Sequence, residues 1–177
     1  LKKLKKYKNL ITKIINFIPT TFTKGKIIFF DGNNYVATIN DTNLNLILEE
    51  DSKKAVLKGK FLNDNIYISL NNKKIDEKLS TDIILKMSDL NLLSKANFFN
   101  SVKEKNTISG NILIKKDKHR FTGIFDYKNH EITFSKSNLR NIFLDGRLEG
   151  KVKFLPYFNF NLDLGLNNLN FTKLYNH

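Results

Sequence analysis

His130 and Glu131 stand side by side as in the helix of a zinc protease, but no second histidine follows at the offset such a helix requires, and their surroundings alternate as a strand does. The other histidines, His119 and His177, fall at a turn and at the end of the sequence. The seventeen carboxylates are scattered through turns and polar positions, and no two stand at a spacing that suggests an acid–base pair. There is no GxSxG elbow, no phosphate-cradling glycine loop and no dinucleotide fingerprint. Cysteine is absent, which excludes disulfides and thiolate metal sites. The residue types therefore predict a chain that is not an enzyme and needs no metal or cofactor.

The remaining chemistry is apolar. From Asp145 to Phe171 the sequence reads DGRLEGKVKFLPYFNFNLDLGLNNLNF. After an expected Asp145-Gly146 turn, Leu148, Gly150 and Val152 alternate with Arg147, Glu149 and Lys151. Past Pro156, Phe158, Phe160, Leu162, Leu164 and Leu166 share one phase against asparagine and Asp163. A period of two over this length describes strands with one greasy and one wet face. Each buried Leu, Ile, Val or Phe is worth roughly 1.5–3 kcal/mol, and a face of them left in water invites aggregation. Something must cover it: the sheet's own closure, a helix, or a greasy ligand. An acyl chain of about sixteen carbons costs on the order of 12 kcal/mol in water at roughly 0.8 kcal/mol per methylene, and an apolar trough would remove most of that.

The same alternation runs through most of the chain. GKIIFF turns at Asp31-Gly32-Asn33-Asn34 into YVATIN, a hairpin. Leu44, Leu46 and Leu48 share a phase, as do Ala55, Leu57, Gly59 and Phe61, then Ile66, Ile68 and Leu70. An expected turn at Asn71-Asn72-Lys73-Lys74 leads to Ile83, Leu85 and Met87. Residues 88–106 break the rhythm and fit either a short helix around Leu92–Phe99 or a long excursion. Strands return with Ile108, Gly110, Ile112 and Ile114, with Phe121, Gly123, Phe125 and Tyr127, and with Ile132 and Phe134. Ser137 to Leu144 reads as a connector, and the tail from Asn170 as the start of a helix or strand.

These patterns predict a mostly β fold: a curved antiparallel meander of about ten strands, over residues 19–177, forming a groove or half-barrel. Gly59, Gly110, Gly123 and Gly150 fall on the apolar phase, where glycine weakens a strand unless room or curvature is needed. A bent trough and a small closed barrel both fit that spacing. Residues 1–18 form a separate unit: a basic amphipathic helix with Leu1, Leu4, Ile11, Ile14, Ile15 and Ile18 on one stripe, stopped by Pro19. It suits docking on the sheet or lying on an anionic membrane, and docking is preferred. No run of about eighteen apolar residues is present.

The chain carries thirty basic against seventeen acidic residues, a formal charge of +13. Only Arg120, Arg140 and Arg147 are arginines, and recognition of bases and phosphates leans on the bidentate guanidinium. The aromatics follow the apolar phase rather than interleaving with lysine. Solvated lysine is the favoured reading, and no nucleic-acid partner is expected.

The glycine-centred strands VLKGKF, TISGNI, RFTGIF and RLEGKV, the DGRLEGKVKF segment with its FNFNLDLGLNNLNF successor, and the closing NLNFTKLY resemble the C-terminal part of AsmA-like proteins of Gram-negative bacteria. The likeness covers roughly residues 20–177. It implies a fragment of a longer periplasmic protein, anchored to the inner membrane outside this piece, whose sheets curl into an apolar groove serving phospholipid traffic and outer-membrane integrity. The partners it implies are phospholipid acyl chains. The expected lining is Leu44, Leu46, Leu48, Leu57, Phe61, Ile112, Phe125, Leu148, Val152, Phe160, Leu162 and Leu164. The alternatives are a structural or protein-binding β-domain with a closed core, and a basic nucleic-acid-binding β-domain.

Overall fold

The structure, a computed structural model, describes residues 19–76, 78–101, 107–155 and 157–176. The predicted helix over residues 1–18 lies outside them. Eleven strands follow in order: β1 (Thr20–Asp31), β2 (Asn34–Leu48), β3 (Ser52–Phe61), β4 (Asp64–Ile75), β5 (Lys78–Met87), β6 (Leu92–Ser101), β7 (Thr107–Lys116), β8 (His119–Lys128), β9 (Glu131–Arg140), β10 (Leu144–Lys153) and β11 (Asn159–Leu169). A one-turn helix, α1 (Phe171–Tyr175), closes the described chain, the Lys173 N–H capped by the Asn170 side-chain oxygen.

The strands form one antiparallel sheet in strict sequence order, with β1 and β11 as free edges. The sheet is open, so the closed-barrel alternative does not hold. Nor is there a second layer: among the described residues, substantial contacts run only between consecutive strands. The accessible area is 13652 Å², against roughly 8900 Å² for a compact globule of this mass. Ile39, Ile66 and Met87 are the only hydrophobic residues that reach full burial among those described. They sit together near one end of the strands, with Ile27, Leu57, Phe61, Ile68, Leu85 and Leu92 packed against them. What orders the rest is the backbone ladder plus same-face pairs across neighbouring strands, each pair worth roughly 0.2–1 kcal/mol.

Several local expectations need correction. Residues 92–99 belong to β6, not to a helix. The doublets Leu92-Leu93 and Phe98-Phe99 hide its alternation by placing an apolar residue on each face. Asn71-Asn72-Lys73-Lys74 lies within β4, the first three paired with both neighbours and Lys74 with Leu79 of β5. These four residues can remain polar in a strand because neither face of the sheet is covered there. Asp145-Gly146 is no turn but part of β10, and residues 137–140 belong to β9 rather than to a connector. The real turn is made by Asn141, whose side-chain oxygen accepts from the N–H groups of Phe143 at 2.9 Å and Leu144 at 2.8 Å.

Three of the sheet's register shifts share one form that keeps the two faces apart. Apolar residues slip phase between Phe22 and Ile27, between Ile39 and Leu44, and between Phe134 and Leu139. An odd spacing would send one half of each strand to the wrong side. At each slip the pairing register shifts, and the extra residue includes one in the left-handed region: Lys24 (φ 55°), Asp41 (φ 49°) and Lys136 (φ 50°). A bulge of this kind absorbs one residue and restores the facing of the side chains beyond it.

Candidate ligand-binding face

Residues paired across antiparallel strands point to the same side. Following the register from strand to strand, Phe22, Leu44, Leu57, Ile68, Leu85, Ser94, Ile114, Phe121, Leu139, Gly146 and Leu166 form one row across all eleven strands. Only Ser94 and Gly146 interrupt its large apolar side chains. At the usual inter-strand spacing the row is roughly 48 Å long. A second row beside it carries Leu46, Ala55, Leu70, Ile83, Ala96 and Ile112, with Leu148 and Leu164 continuing it on β10 and β11.

All twelve expected lining residues fall on this face. Leu44 and Leu57 are direct partners, as are Leu148 and Leu164, and Val152 and Phe160. Leu46 faces Ala55, Ile112 lies between Ala96 and Gly123, and Leu162 faces Gly150. Phe61 packs against the buried cluster, and Phe125 faces Phe134. Leu48 sits at the margin, because its partner is Lys53 and the next residue along is Asn72. Most of these side chains are half-buried by their own neighbours, while Phe160 and Leu164 on the edge strand are 61% and 45% exposed. The expected lining omits Phe22, Ile68, Leu85, Ile114, Phe121, Leu139 and Leu166 of the first row, and from β6 it omits Ala96 and Phe98, which lie on the same face.

Glycine makes room on this side. At Gly110 an added Cβ would fall on the Asn97 carbonyl oxygen and within 2.5 Å of the Phe98 Cβ. Gly150 has φ +132°, a conformation L side chains rarely adopt, and its Cβ would meet the backbone of Asn161 and, at 2.9 Å, the Leu162 Cα. The ring of Phe98 meets that of Phe125 over Gly110, and the ring of Phe121, beside Gly123, meets that of Phe134, both edge to face, at 6.5 and 5.7 Å between centroids. The face is not wholly dry. Asn72, Asn100 and Ser137 each hold a buried side-chain oxygen with no hydrogen-bond partner.

The opposite face is wet. Lys54, Asn71, Asp82, Asn97 and Asn111 share it, around a depression of about 500 Å³ in which the Asn97 amide donates to Asp82 at 2.5 Å. Among the described residues no group of three His, Asp or Glu side chains is placed to hold a metal ion. His119 begins β8 just after the β7–β8 turn, His130 lies in the β8–β9 turn, and the Tyr127 hydroxyl lies 3.4 Å from the His130 ring. In comparisons with known proteins, no family model, no curated protein and no solved structure matches this chain.

Proposed function

We propose that the apolar face is a binding surface for lipid acyl chains, and that the protein is a non-enzymatic lipid-holding or lipid-transfer sheet. The observation that carries this reading is the apolar row crossing eleven strands, over which no second layer lies among the described residues. A core of this composition is ordinarily sealed by another sheet or a helix. The face has no side chain that discriminates headgroups along its middle rows, so its contacts suit hydrocarbon in general. The glycines crowd their neighbours on this same side, which fits a sheet bent towards it into a groove. The AsmA-like resemblance extends the reading to phospholipid traffic in the periplasm, alongside an inner-membrane anchor.

Mass spectrometry of lipid extracted from the gently purified chain tests it. Leu46→Asp together with Leu162→Asp removes co-purifying phospholipid while the β-type circular dichroism is kept. Unchanged lipid content in that variant rejects the reading.

A further inference from the structure

The hairpin turns divide between the two ends of the strands, and one end is built unlike the other. At the β3–β4 turn, Phe61 pairs with Asp64 around a two-residue loop, Leu62 (φ 51°) and Asn63 (φ 67°). Such loops need the left-handed region at both positions and strongly favour Asn, Asp or Gly. Leucine there is locally unfavourable, and its side chain is 82% exposed, so packing within the chain does not account for it. At the same end, Leu90 is exposed on the β5–β6 turn, and Phe30 and Tyr35 flank the β1–β2 turn with their rings in edge contact. The Leu90 turn is held firmly, since Asp64, buried in β4, accepts from the backbone N–H groups of Asp89 and Leu90.

A row of cations lies on the polar face beside these tips. The register runs Lys58, Tyr67, Lys86, Leu93, Lys115, Arg120, Arg140 from β3 to β9, within a few residues of the turns. Lys115 and Arg120 are direct cross-strand partners, as are Arg120 and Arg140, and like charges so placed repel. Arg140 is relieved by Asp145 at 3.7 Å. Among the described residues Lys58, Lys86, Lys115 and Arg120 have no carboxylate partner, although Lys86 lies over the Tyr67 ring. Of the nearby acids, Asp41 is engaged with Lys60 and Asp117 with Lys116, whereas Asp89 on the β5–β6 turn is in no ion pair among the described residues. The turns at the other end include Glu49, Glu50, Asp51 and Asp76, and the exposed aromatic cluster there, Phe154, Tyr157 and Phe158, belongs to the β10–β11 turn.

We propose that this turn edge seats on an anionic phospholipid bilayer, its apolar tips entering the interface and the basic row lying over the headgroups. Exposed leucine and aromatic tips beside unneutralised cations match that surface in both of its properties, and one ring, Tyr67, is too few for stacking successive bases. The proposal uses the turn edge and the polar face, so it goes beyond the acyl-chain reading and stands or falls separately.

The test is co-sedimentation of the full chain with vesicles of phosphatidylglycerol in phosphatidylcholine and with phosphatidylcholine alone. Binding is expected to the first, to weaken as salt rises, and to drop about thirtyfold in Lys115→Gln/Arg120→Gln, from the attraction of two basic residues to an anionic surface. Leu62→Asn places a favoured residue in the turn, so the variant folds, yet it loses roughly tenfold in vesicle affinity. Leu46→Asp/Leu162→Asp keeps the binding. Equal binding to neutral vesicles overturns the proposal. So does an unaffected Leu62→Asn variant, or loss of binding on Phe158→Asn, at the exposed aromatic cluster of the other edge, with Leu62→Asn silent. Tight, salt-sensitive binding of a single-stranded RNA oligonucleotide with none to anionic vesicles also overturns it, in favour of nucleic acid.

Discussion

The rings of Phe98 and Phe125 meet edge to face above Gly110, which is the cross-strand partner of both. The two phenylalanines belong to strands that are not neighbours, so the contact spans β7 and ties three strands together on the apolar side. It exists because the central strand offers no side chain at that point.

Gly110→Ala should therefore be costly. Its methyl group would collide with backbone rather than with a flexible side chain, and overpacking of this kind costs about 1–3 kcal/mol. Gly165→Ala, where the nearest atom is the Arg147 carbonyl oxygen at 4.0 Å, should be neutral or stabilising. Urea denaturation of the two variants measures the contrast, and equal midpoints would refute the close approach.

The bulge at Lys136 gives a second expectation. A non-glycine residue in the left-handed region pays about 1–2 kcal/mol relative to the right-handed one. Lys136→Gly should raise stability by about 0.5–1 kcal/mol, and Lys136→Val should lower it by a similar or larger amount. A thermal melt in which valine is tolerated as well as glycine would show that the bulge does not adopt this conformation.

Asp64 links two hairpins. Its carboxylate accepts from Asp89 N–H at 2.9 Å and Leu90 N–H at 3.2 Å while only 5% exposed. Asp64→Ala leaves both donors short of a partner and should cost about 1–3 kcal/mol. Hydrogen exchange should accelerate at Asp89 and Leu90 before the strands on either side, and Asp64→Asn should recover part of the protection.

Leu46 and Ile47 are adjacent in sequence and opposite in facing: Leu46 pairs with Ala55 on the apolar side, Ile47 with Lys54 on the wet side. Leu46→Asp should reduce uptake of a fluorescent fatty acid, whereas Ile47→Asp, equal in mass and charge, should leave it unchanged. A titration in which both variants lose binding alike would mean that the face is not what binds.

Much of this was legible in the residues. Period-two patterning is strong in β3, β10 and β11, and it fixes which side chains share a face once strands pair in register. Turn chemistry was less reliable. Asp145-Gly146 has the composition of a turn, yet the Asn141 side chain turns the chain four residues earlier and leaves that pair inside a strand. In β4 the polar run from Asn71 reads as loop, because wet residues in a strand interior usually mark a turn. Here the ladder on both sides overrides that tendency. The strand β6 escaped because Leu93 and Phe99 place apolar groups on the wet face, erasing the alternation. The bulges were written in the sequence as apolar residues five apart, a signal that makes sense only when the neighbouring strands stay in phase. The basic row was not legible at all: Lys58, Lys86, Lys115 and Arg120 are far apart in sequence and align only through hairpin register.

Among the described residues each strand leans chiefly on its neighbours in sequence order, with only local ring contacts such as Phe98 with Phe125 reaching further. The chain thus folds like a zip fastener: each hairpin closes a short loop at low entropic cost and presents a prepared edge to the next. Stability in such an array accrues along one dimension, so damage at one hairpin weakens its immediate neighbours and leaves distant ones intact. The length of the greasy track can then change in steps of one hairpin without redesigning anything else, so the number of hairpins would set the reach of the proposed acyl-chain surface.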